Sequence, residues 1–315
     1  ANHTQSLRWN HVYGHALTSD VTIYNSIYRN TLAGDMSEAR FDYVQGIRET
    51  GARAGWTWYL NPKNTLQAGF GLAWFDIAPG ECNPVGGSTV VNHVVMPASY
   101  ALQPSAYLQN EQKLGPLTLR YGLRFSSFST LGGTSQRYFD PVTHELLRVT
   151  DIPKGERIKS YSGLEPRFSA SLPLGNDLSV KGSYSRSFQY LQQARISITG
   201  SPVDTWFTAS PNTKPQMSDQ VSLGVNALFT DQALEASVEG FYKKGKNVID
   251  FVENPGIVID NVDREGLLRS GSSTSYGVET MLKYEFDKLN GWISYTWSRS
   301  QLREMEDRKS TRLNS

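Results

Sequence analysis

The chain has 315 residues, with 31 lysines and arginines against 30 aspartates and glutamates, giving a formal net charge of +1. Because the charges balance and the basic residues do not cluster, the sequence lacks the basic patch by which proteins bind nucleic acid. Tyrosine (16), phenylalanine (13), tryptophan (7) and glycine (27) are abundant, which favours an all-β chain. The mean hydropathy is −0.43, and the sequence contains no run of about 18 apolar residues that would predict a transmembrane helix.

Twelve β-strands are predicted, because apolar and polar residues alternate with a period of two between turn-forming segments. Most of them reach the roughly 9–11 residues that a tilted strand needs to cross a bilayer. The predicted strands are 5–13, 20–29, 40–60, 64–75, 98–113, 117–130, 158–173, 178–189, 218–229, 233–252, 271–285 and 291–302.

Short polar turns and long connections rich in Gly, Pro and Ser alternate between these strands. The alternation places the short turns at one rim and the long loops at the other, and in outer-membrane barrels the short rim is periplasmic. It also predicts that residues 40–60 form one strand, since a hairpin at Gly51 would move the turn at Asn61 to the long-loop rim. The long connections are predicted at about 30–40, 76–97, 131–158, 190–217 and 253–270.

Residues 117–125 show the pattern most clearly, because Leu, Leu, Tyr, Leu and Phe alternate there with Thr, Arg, Gly and Arg. A dry core could not hold so many charges, so we expect an apolar face toward lipid and a polar face toward a wet or plugged lumen. The lipid-facing set includes Leu119, Tyr121, Leu123, Leu223, Val225 and Leu282. The lumen-facing polar set includes Glu111, Arg120, Arg124, Arg167, Lys181, Glu239 and Glu279.

An ion pair is predicted across the turn at Gly115 and Pro116. If Leu114 pairs with Leu117, Glu111 and Arg120 lie directly opposite each other on the lumen side. Such a pair either contacts a plug or substrate, or fixes the register of the hairpin, and the second role is the commoner one for exposed ion pairs.

Neither a metal site nor an enzyme active site is predicted, and no cofactor is expected. Cys82 and His93 share one predicted loop without further ligands at metal-binding spacing. No Gly-x-Ser-x-Gly motif is present. Glu235 and Glu239 would lie about 13 Å apart on a strand, too far for a shared acid-base site.

Aromatic residues in the long loops are the candidate ligand-binding residues. Aromatic rings supply contact area at little cost in conformational entropy, so they suit a ligand-catching rim. Packing of the loops against one another is the alternative explanation. The candidates are Tyr138, Phe139, Phe188, Tyr190, Trp206 and Phe207.

Several segments, in their order and spacing, resemble the barrels of TonB-dependent outer-membrane receptors. The hairpin AYLQNEQKLGPLTLRYGLRFS (106–126) carries a similar strand, tight turn and Gly-Leu-Arg strand. EPRFSASLPLGNDLSVKGSYSRSFQYLQQ (165–193), SDQVSLGVNALF (218–229), LEASVEGFYKKGKNVIDF (234–251) and WISYTWSRSQ (292–301) resemble later hairpins.

The resemblance implies an antiparallel meander transmembrane β-barrel of which these twelve strands are an open or incompletely closed part, the complete barrel having about 22 strands. It also implies uptake of a scarce ligand, such as a ferric siderophore, cobalamin or a glycan. The expected partners are outer-membrane lipid and the TonB complex, which is reached through an N-terminal plug that this fragment lacks. The sequence resembles in particular those receptors that carry a carboxypeptidase-regulatory-like N-terminal extension.

Residues 1–306 are therefore expected to be a partial barrel and residues 307–315 a non-native, adapter-like tail. A passive porin of about twelve strands and an outer-membrane enzyme that uses the barrel as a scaffold are the alternative functions.

Overall fold

The computed structural model describes residues 2–36, 39–86, 92–140, 143–194, 205–229, 234–251, 263–286 and 289–304. The described residues form strands and one 3-10 helix at Arg264–Leu267. None of the helices in this part of the chain is long and apolar enough to span a membrane. The strands are β1 (Asn2–Val12), β2 (Leu17–Met36), β3 (Ala39–Asn61), β4 (Asn64–Pro84), β5 (Val94–Val95), β6 (Ser99–Leu114), β7 (Leu117–Leu131), β8 (Ser135–Phe139), β9 (Leu146–Asp151), β10 (Arg157–Leu174), β11 (Leu178–Gln189), β12 (Leu191–Ala194), β13 (Thr205–Thr208), β14 (Gln216–Phe229), β15 (Leu234–Phe251), β16 (Leu268–Phe286) and β17 (Leu289–Glu304).

Twelve long strands form one antiparallel meander in the order β1-β2-β3-β4-β6-β7-β10-β11-β14-β15-β16-β17. Among the described residues, β1 and β17 each have one neighbour in the sheet, so the sheet is open. This arrangement confirms the predicted twelve-stranded, incompletely closed meander. The prediction that residues 40–60 form one strand is also confirmed, because β3 continues through Gly51 without a turn.

The turn between β6 and β7 shows how local chemistry sets the register. Gly115 has φ +59°, a conformation that L side chains rarely adopt, and it allows the two-residue connection of a tight hairpin. Leu114 therefore pairs with Leu117, and Glu111 pairs with Arg120.

Two of the predicted long connections have the wrong bounds. β2 continues to Met36 and β4 continues to Pro84, through much of the segments predicted as loops at 30–40 and 76–97. These extensions bury an apolar cluster in which Tyr43 and Cys82 are fully buried. Burial of this cluster stabilises the extended pairing in a stretch where Gly and Pro favour a loop. Cys82 therefore lies in a strand rather than in a loop.

Five short strands that the sequence did not predict lie within the long connections, and the first of them, β5, pairs with β4. β8 and β9 form one hairpin, and β12 and β13 form another. The second hairpin folds back onto the sheet, where Tyr190 and Ala209 pack on Phe128 of β7. We call the face of the sheet that carries Phe128 and Arg124 the inner face, and the opposite face the outer face.

The outer face exposes a continuous row of large apolar side chains, such as Tyr121, Leu123 and Phe125 on β7. Their partners on β10 include Phe168 and Leu164, which are also exposed. A soluble protein would bury such a surface, so this face is suited to contact lipid.

Candidate ligand site between the inner face and the long loops

A hydrogen-bonded group joins the inner face to the β12–β13 hairpin. Ser126 Oγ donates to Glu165 Oε1 at 2.6 Å and lies 2.8 Å from Tyr190 Oη. Arg124 Nε lies 3.7 Å from the same carboxylate oxygen of Glu165. Because Glu165 is buried, its carboxyl group contacts these neighbours rather than water.

A second polar group lies on the inner face of β2 and β3. Tyr24 Oη donates to Glu49 Oε1 at 2.5 Å, and Arg53 Nη2 donates to Tyr24 Oη at 3.3 Å. The guanidinium of Arg53 also lies 4.8 Å from the centre of the Tyr24 ring. Together with Tyr107 and Arg124, these side chains line an open cavity of about 370 Å³ in the inner wall.

The ion pair predicted from the hairpin register is present. Arg120 Nε donates to Glu111 Oε2 at 2.7 Å, and the Arg120 side chain is 69% exposed. An ion pair so open to solvent contributes at most about 1 kcal/mol, so its main effect is to match the register that the turn sets.

Aromatic rings stack where the β12–β13 hairpin meets the sheet. The ring of Phe128 lies parallel to that of Tyr190, with centroids 5.2 Å apart. Phe188 extends the stack on one side, 6.3 Å from Tyr190, and on the other side Phe75 contacts Phe128 at 6.0 Å with its ring tilted by 48°. This stack holds the base of the hairpin against the inner face.

Glu265, in the 3-10 helix, ties together two of the long connections. Its carboxylate accepts hydrogen bonds from Ser210 Oγ, from Asn212 Nδ2 at 2.7 Å and from Thr213 Oγ1 at 3.4 Å. Asn212 Nδ2 also donates to the carbonyl of Arg137 at 2.9 Å, which adds the β8–β9 hairpin to the cluster. Burial raises the pKa of the Glu265 carboxyl, and the three donors oppose that rise.

Arg264, next in the chain to Glu265, is almost completely buried. Its Nη1 donates to Thr205 Oγ1 at 2.6 Å and to Tyr43 Oη at 3.1 Å, and Tyr43 Oη in turn donates to the carbonyl of Pro79 at 2.9 Å. Burial lowers the pKa of the guanidinium. Its Nη2 has no hydrogen-bond partner among the described residues.

Arg264 and Glu265 line a partly open cavity of about 110 Å³ between the loops and the sheet. Trp206 also lines it, and the Trp206 indole Nε1 is buried without a hydrogen-bond partner in the described part of the chain. Two unpartnered donors at one small cavity are suited to bind the oxygen atoms of a polar ligand or of water.

The six aromatic residues predicted from the loops do not form one rim. Phe188 and Tyr190 belong to the stack, Trp206 and Phe139 line the cavity at Arg264, and the buried Phe207 packs against Phe251. Tyr138 lies on the β8–β9 hairpin, and the guanidinium carbon of Arg148 lies 4.1 Å from the centre of the Tyr138 ring. Contact of any of these residues with a ligand stays a prediction.

The remaining lumen-facing candidates lie away from the loop cluster. Lys181 pairs with Gly224, which pairs with Glu239, which pairs with Glu279, so that these residues form one row across four strands. Arg167 and Lys181 are exposed, as are both glutamates of this row. Their exposure to a lumen stays a prediction.

Sequence reasoning missed Arg264 and Glu265. They lie in a long connection without strand periodicity, and their partners are 52 to 221 residues away in the chain. His93, predicted as an isolated loop residue, lies 3.8 Å from Glu81. Among the described residues, no group of three His, Cys, Asp or Glu side chains is arranged to hold a metal ion.

The open antiparallel sheet, with one apolar face and one polar face covered by folded loops, defines the wall of a membrane β-barrel. The chain belongs to the family described as TonB dependent receptor-like, beta-barrel, whose sequence model matches residues 1–315. Its location is therefore the outer membrane of a Gram-negative bacterium. No curated protein matches the sequence.

Solved structures with the same fold include iron and copper transporters. The FrpB iron transporter from Neisseria meningitidis (F3-3 variant) matches with a TM-score of 0.63 and 14% identity over 96% of this chain and 44% of that chain. The copper transporter OprC matches with a TM-score of 0.64 and 12% identity over 95% of this chain and 47% of that chain. The ferric citrate transporter FecA matches with a TM-score of 0.62 and 13% identity over 96% of this chain and 43% of that chain. The chain thus spans less than half the length of these structures.

Proposed function

We propose that this chain forms part of the wall and several ligand-contacting loops of a receptor that takes up a scarce ligand, such as a ferric siderophore, with cobalamin or a glycan as alternatives. The observation that carries the proposal is the loop cluster around Arg264 and Glu265, which closes over the polar inner face. A passive pore needs an open lumen, whereas a receptor needs a surface that holds its ligand.

The proposed ligand contacts are the cavity residues that retain unused hydrogen-bonding capacity. Arg264 Nη2 and Trp206 Nε1 are both buried and unpartnered within the described residues. A ligand oxygen that accepts from them would remove the cost of two unsatisfied buried donors. Phe139 lines the same cavity and offers apolar contact.

The proposed partners are outer-membrane lipid, which contacts the outer face, and the TonB complex, which would act through a plug domain of the full-length receptor. The inner face supplies polar and charged side chains for contact with such a plug, among them Arg53, Glu49 and Arg120. Families of this kind are transporters and receptors, so we propose no enzymatic step.

Uptake by the full-length receptor carrying this sequence tests the proposal. Cells under iron limitation would be given radiolabelled iron as a ferric siderophore, with and without an uncoupler of the inner-membrane proton gradient. We expect uptake that requires the receptor and stops with the uncoupler. Uptake that continues without the gradient would support a passive porin instead.

A pair of variants tests the proposed contacts. Trp206→Ala should weaken ligand binding to the full-length receptor by about tenfold, which corresponds to the loss of roughly 1.4 kcal/mol. Leu147→Ala serves as the control, because Leu147 is 63% exposed on β9 and does not line the cavity. Equal affinities for the two variants, with both receptors folded, would remove Trp206 from the binding site.

A further inference from the structure

A row of basic side chains lies on the outer face, just beyond its apolar belt. On β15, the outer-face positions run from Ala236 through Val238 to Tyr242, and the next two are Lys244 and Lys246. Both lysines are exposed. The change from apolar to cationic residues occurs on one face of one strand, so it marks a boundary in the surroundings of that face.

The length of the apolar run places this boundary at the membrane surface. Leu234 to Tyr242 includes nine residues, which matches the roughly 9–11 residues of a tilted strand that crosses the bilayer. β17 repeats the change, because Trp297 is followed on the outer face by Arg299 and Arg303. These cations lie toward the rim that carries the long loops, which is the outer leaflet.

Arg186 on β11 adds a fifth cation, and the charge of the row is mostly uncompensated. Asp219 is the acidic residue on the outer face at this level, and it accepts bonds of 2.7 and 3.1 Å from Arg186 and one of 2.8 Å from Tyr184. Lys246 interacts with Asp219 only at longer range, and within the described residues no acidic side chain forms an ion pair with Lys244, Lys246, Arg299 or Arg303. We call the set Arg186, Lys244, Lys246, Arg299 and Arg303 the cationic strip.

The spacing within the cationic strip suits a ligand with more than one phosphate group. Lys246 pairs with Ser272, and Ser272 pairs with Arg303, so the backbones of the two cations are two strand spacings apart, about 10 Å. Lys244 and Lys246 are two residues apart on one strand, about 7 Å. Long Lys and Arg side chains can converge over such distances while their stems remain on apolar surface.

We propose that the cationic strip binds the phosphorylated headgroup of an outer-leaflet lipid. The strip faces lipid, begins at Arg299 in the row of Tyr242 and Tyr276, continues from there toward the long loops, and carries excess positive charge. Lipid phosphate is the anion that a membrane presents at this position. This site is on the opposite face of the sheet from the cavity at Arg264, and the proposal does not depend on the ligand that the receptor transports.

The test measures phosphorylated lipid bound to the full-length receptor in nanodiscs of phosphatidylcholine with 10 mol% bis-phosphorylated lipid A, by native mass spectrometry. The variant combines Lys244→Gln, Lys246→Gln and Arg303→Gln. Lys243→Gln is the matched control, because Lys243 is the exposed lysine next in the chain on the inner face. Each cation near an anionic surface changes binding by roughly fivefold, so we expect the triple variant to retain lipid A at least tenfold less than wild type.

Lys243→Gln should retain lipid A at the wild-type level, and both variants should keep the wild-type resistance of a folded barrel to unfolding in detergent. Equal retention by wild type and the triple variant would overturn the proposal. Equal loss in both variants would also overturn it, since the effect would then come from overall charge. Displacement of lipid A by millimolar inorganic phosphate would identify a free-phosphate site and overturn the assignment to a lipid.

Discussion

Replacing Leu223 of β14 with arginine tests which face of the sheet meets lipid. The Leu223 side chain is 64% exposed, and its partners on the two neighbouring strands are Gly182 and Gly240. Neither glycine can cover an introduced charge. An arginine near the bilayer midplane of a barrel costs about 2–4 kcal/mol, so the folding equilibrium should shift by on the order of a hundredfold.

The matched control is Ser222→Arg, which places the same residue one position away on the inner face. Ser222 Oγ lies 2.9 Å from Ser183 Oγ, and losing this hydrogen bond costs about 1 kcal/mol. Lys181→Gln, also on the inner face, should be nearly neutral. Folding of the full-length receptor into phosphatidylcholine vesicles, followed by denaturant titration, measures all three costs. Equal costs for the two arginine variants would refute the assignment of the faces.

Three further predictions follow from single contacts. Gly69→Ala should destabilise the sheet by about 1–3 kcal/mol, since a Cβ there would lie 2.6 Å from both the Tyr107 ring and a backbone carbonyl; denaturant titration measures this. Tyr43→Phe removes one of the two hydrogen bonds of Arg264 Nη1 and the hydrogen bond to the carbonyl of Pro79. The loop cluster should lose about 1–3 kcal/mol of stability, which is measured as faster proteolysis of the loops. Burial raises the pKa of Glu265 above its ordinary value of 4.5. The loop cluster should therefore be most stable below about pH 4.5 and lose stability as the pH rises through the raised pKa. Hydrogen exchange of the loop amides, recorded as a function of pH, measures this loss.

Each of these predictions has a control. Gly182→Ala should be tolerated, because the nearest atom to a Cβ there is 3.7 Å away; equal destabilisation by both alanines would contradict the steric argument. Glu265→Gln should remove the pH dependence of exchange in the loops, and a slope that persists would assign it to another group. Tyr59→Phe, at an exposed tyrosine, should leave proteolysis unchanged.

The wall of the barrel could be predicted from sequence because its faces and its hairpin register are set by residues close together in the chain. Alternation along β7 identifies its two faces, and the Gly115 turn fixes the pairing of Glu111 with Arg120 without reference to any distant residue. The parity of turn lengths resolved the ambiguity at Gly51, where local propensity alone allowed either one strand or two.

The loops could not be predicted because their stability comes from distant contacts. Glu265 is held by residues more than fifty positions earlier, and Arg264 by Tyr43, 221 positions earlier. Cys82 lies among Gly and Pro, which favour a loop, yet burial of its cluster extends β4. The proposed tail at 307–315 lies outside the described residues, and the carboxypeptidase-regulatory-like extension stays a prediction.

Cysteine scanning along β15 tests the central claim most directly, which is that the sheet separates lipid from a wet lumen. Cys82, the only native cysteine, is fully buried, so single cysteines from Ala236 to Lys243 can be introduced in the full-length receptor and reacted with a membrane-impermeant thiol reagent. The account predicts reaction at positions 237, 239, 241 and 243 and protection at 236, 238, 240 and 242. Reaction without a period of two, or with the two sets exchanged, would contradict it.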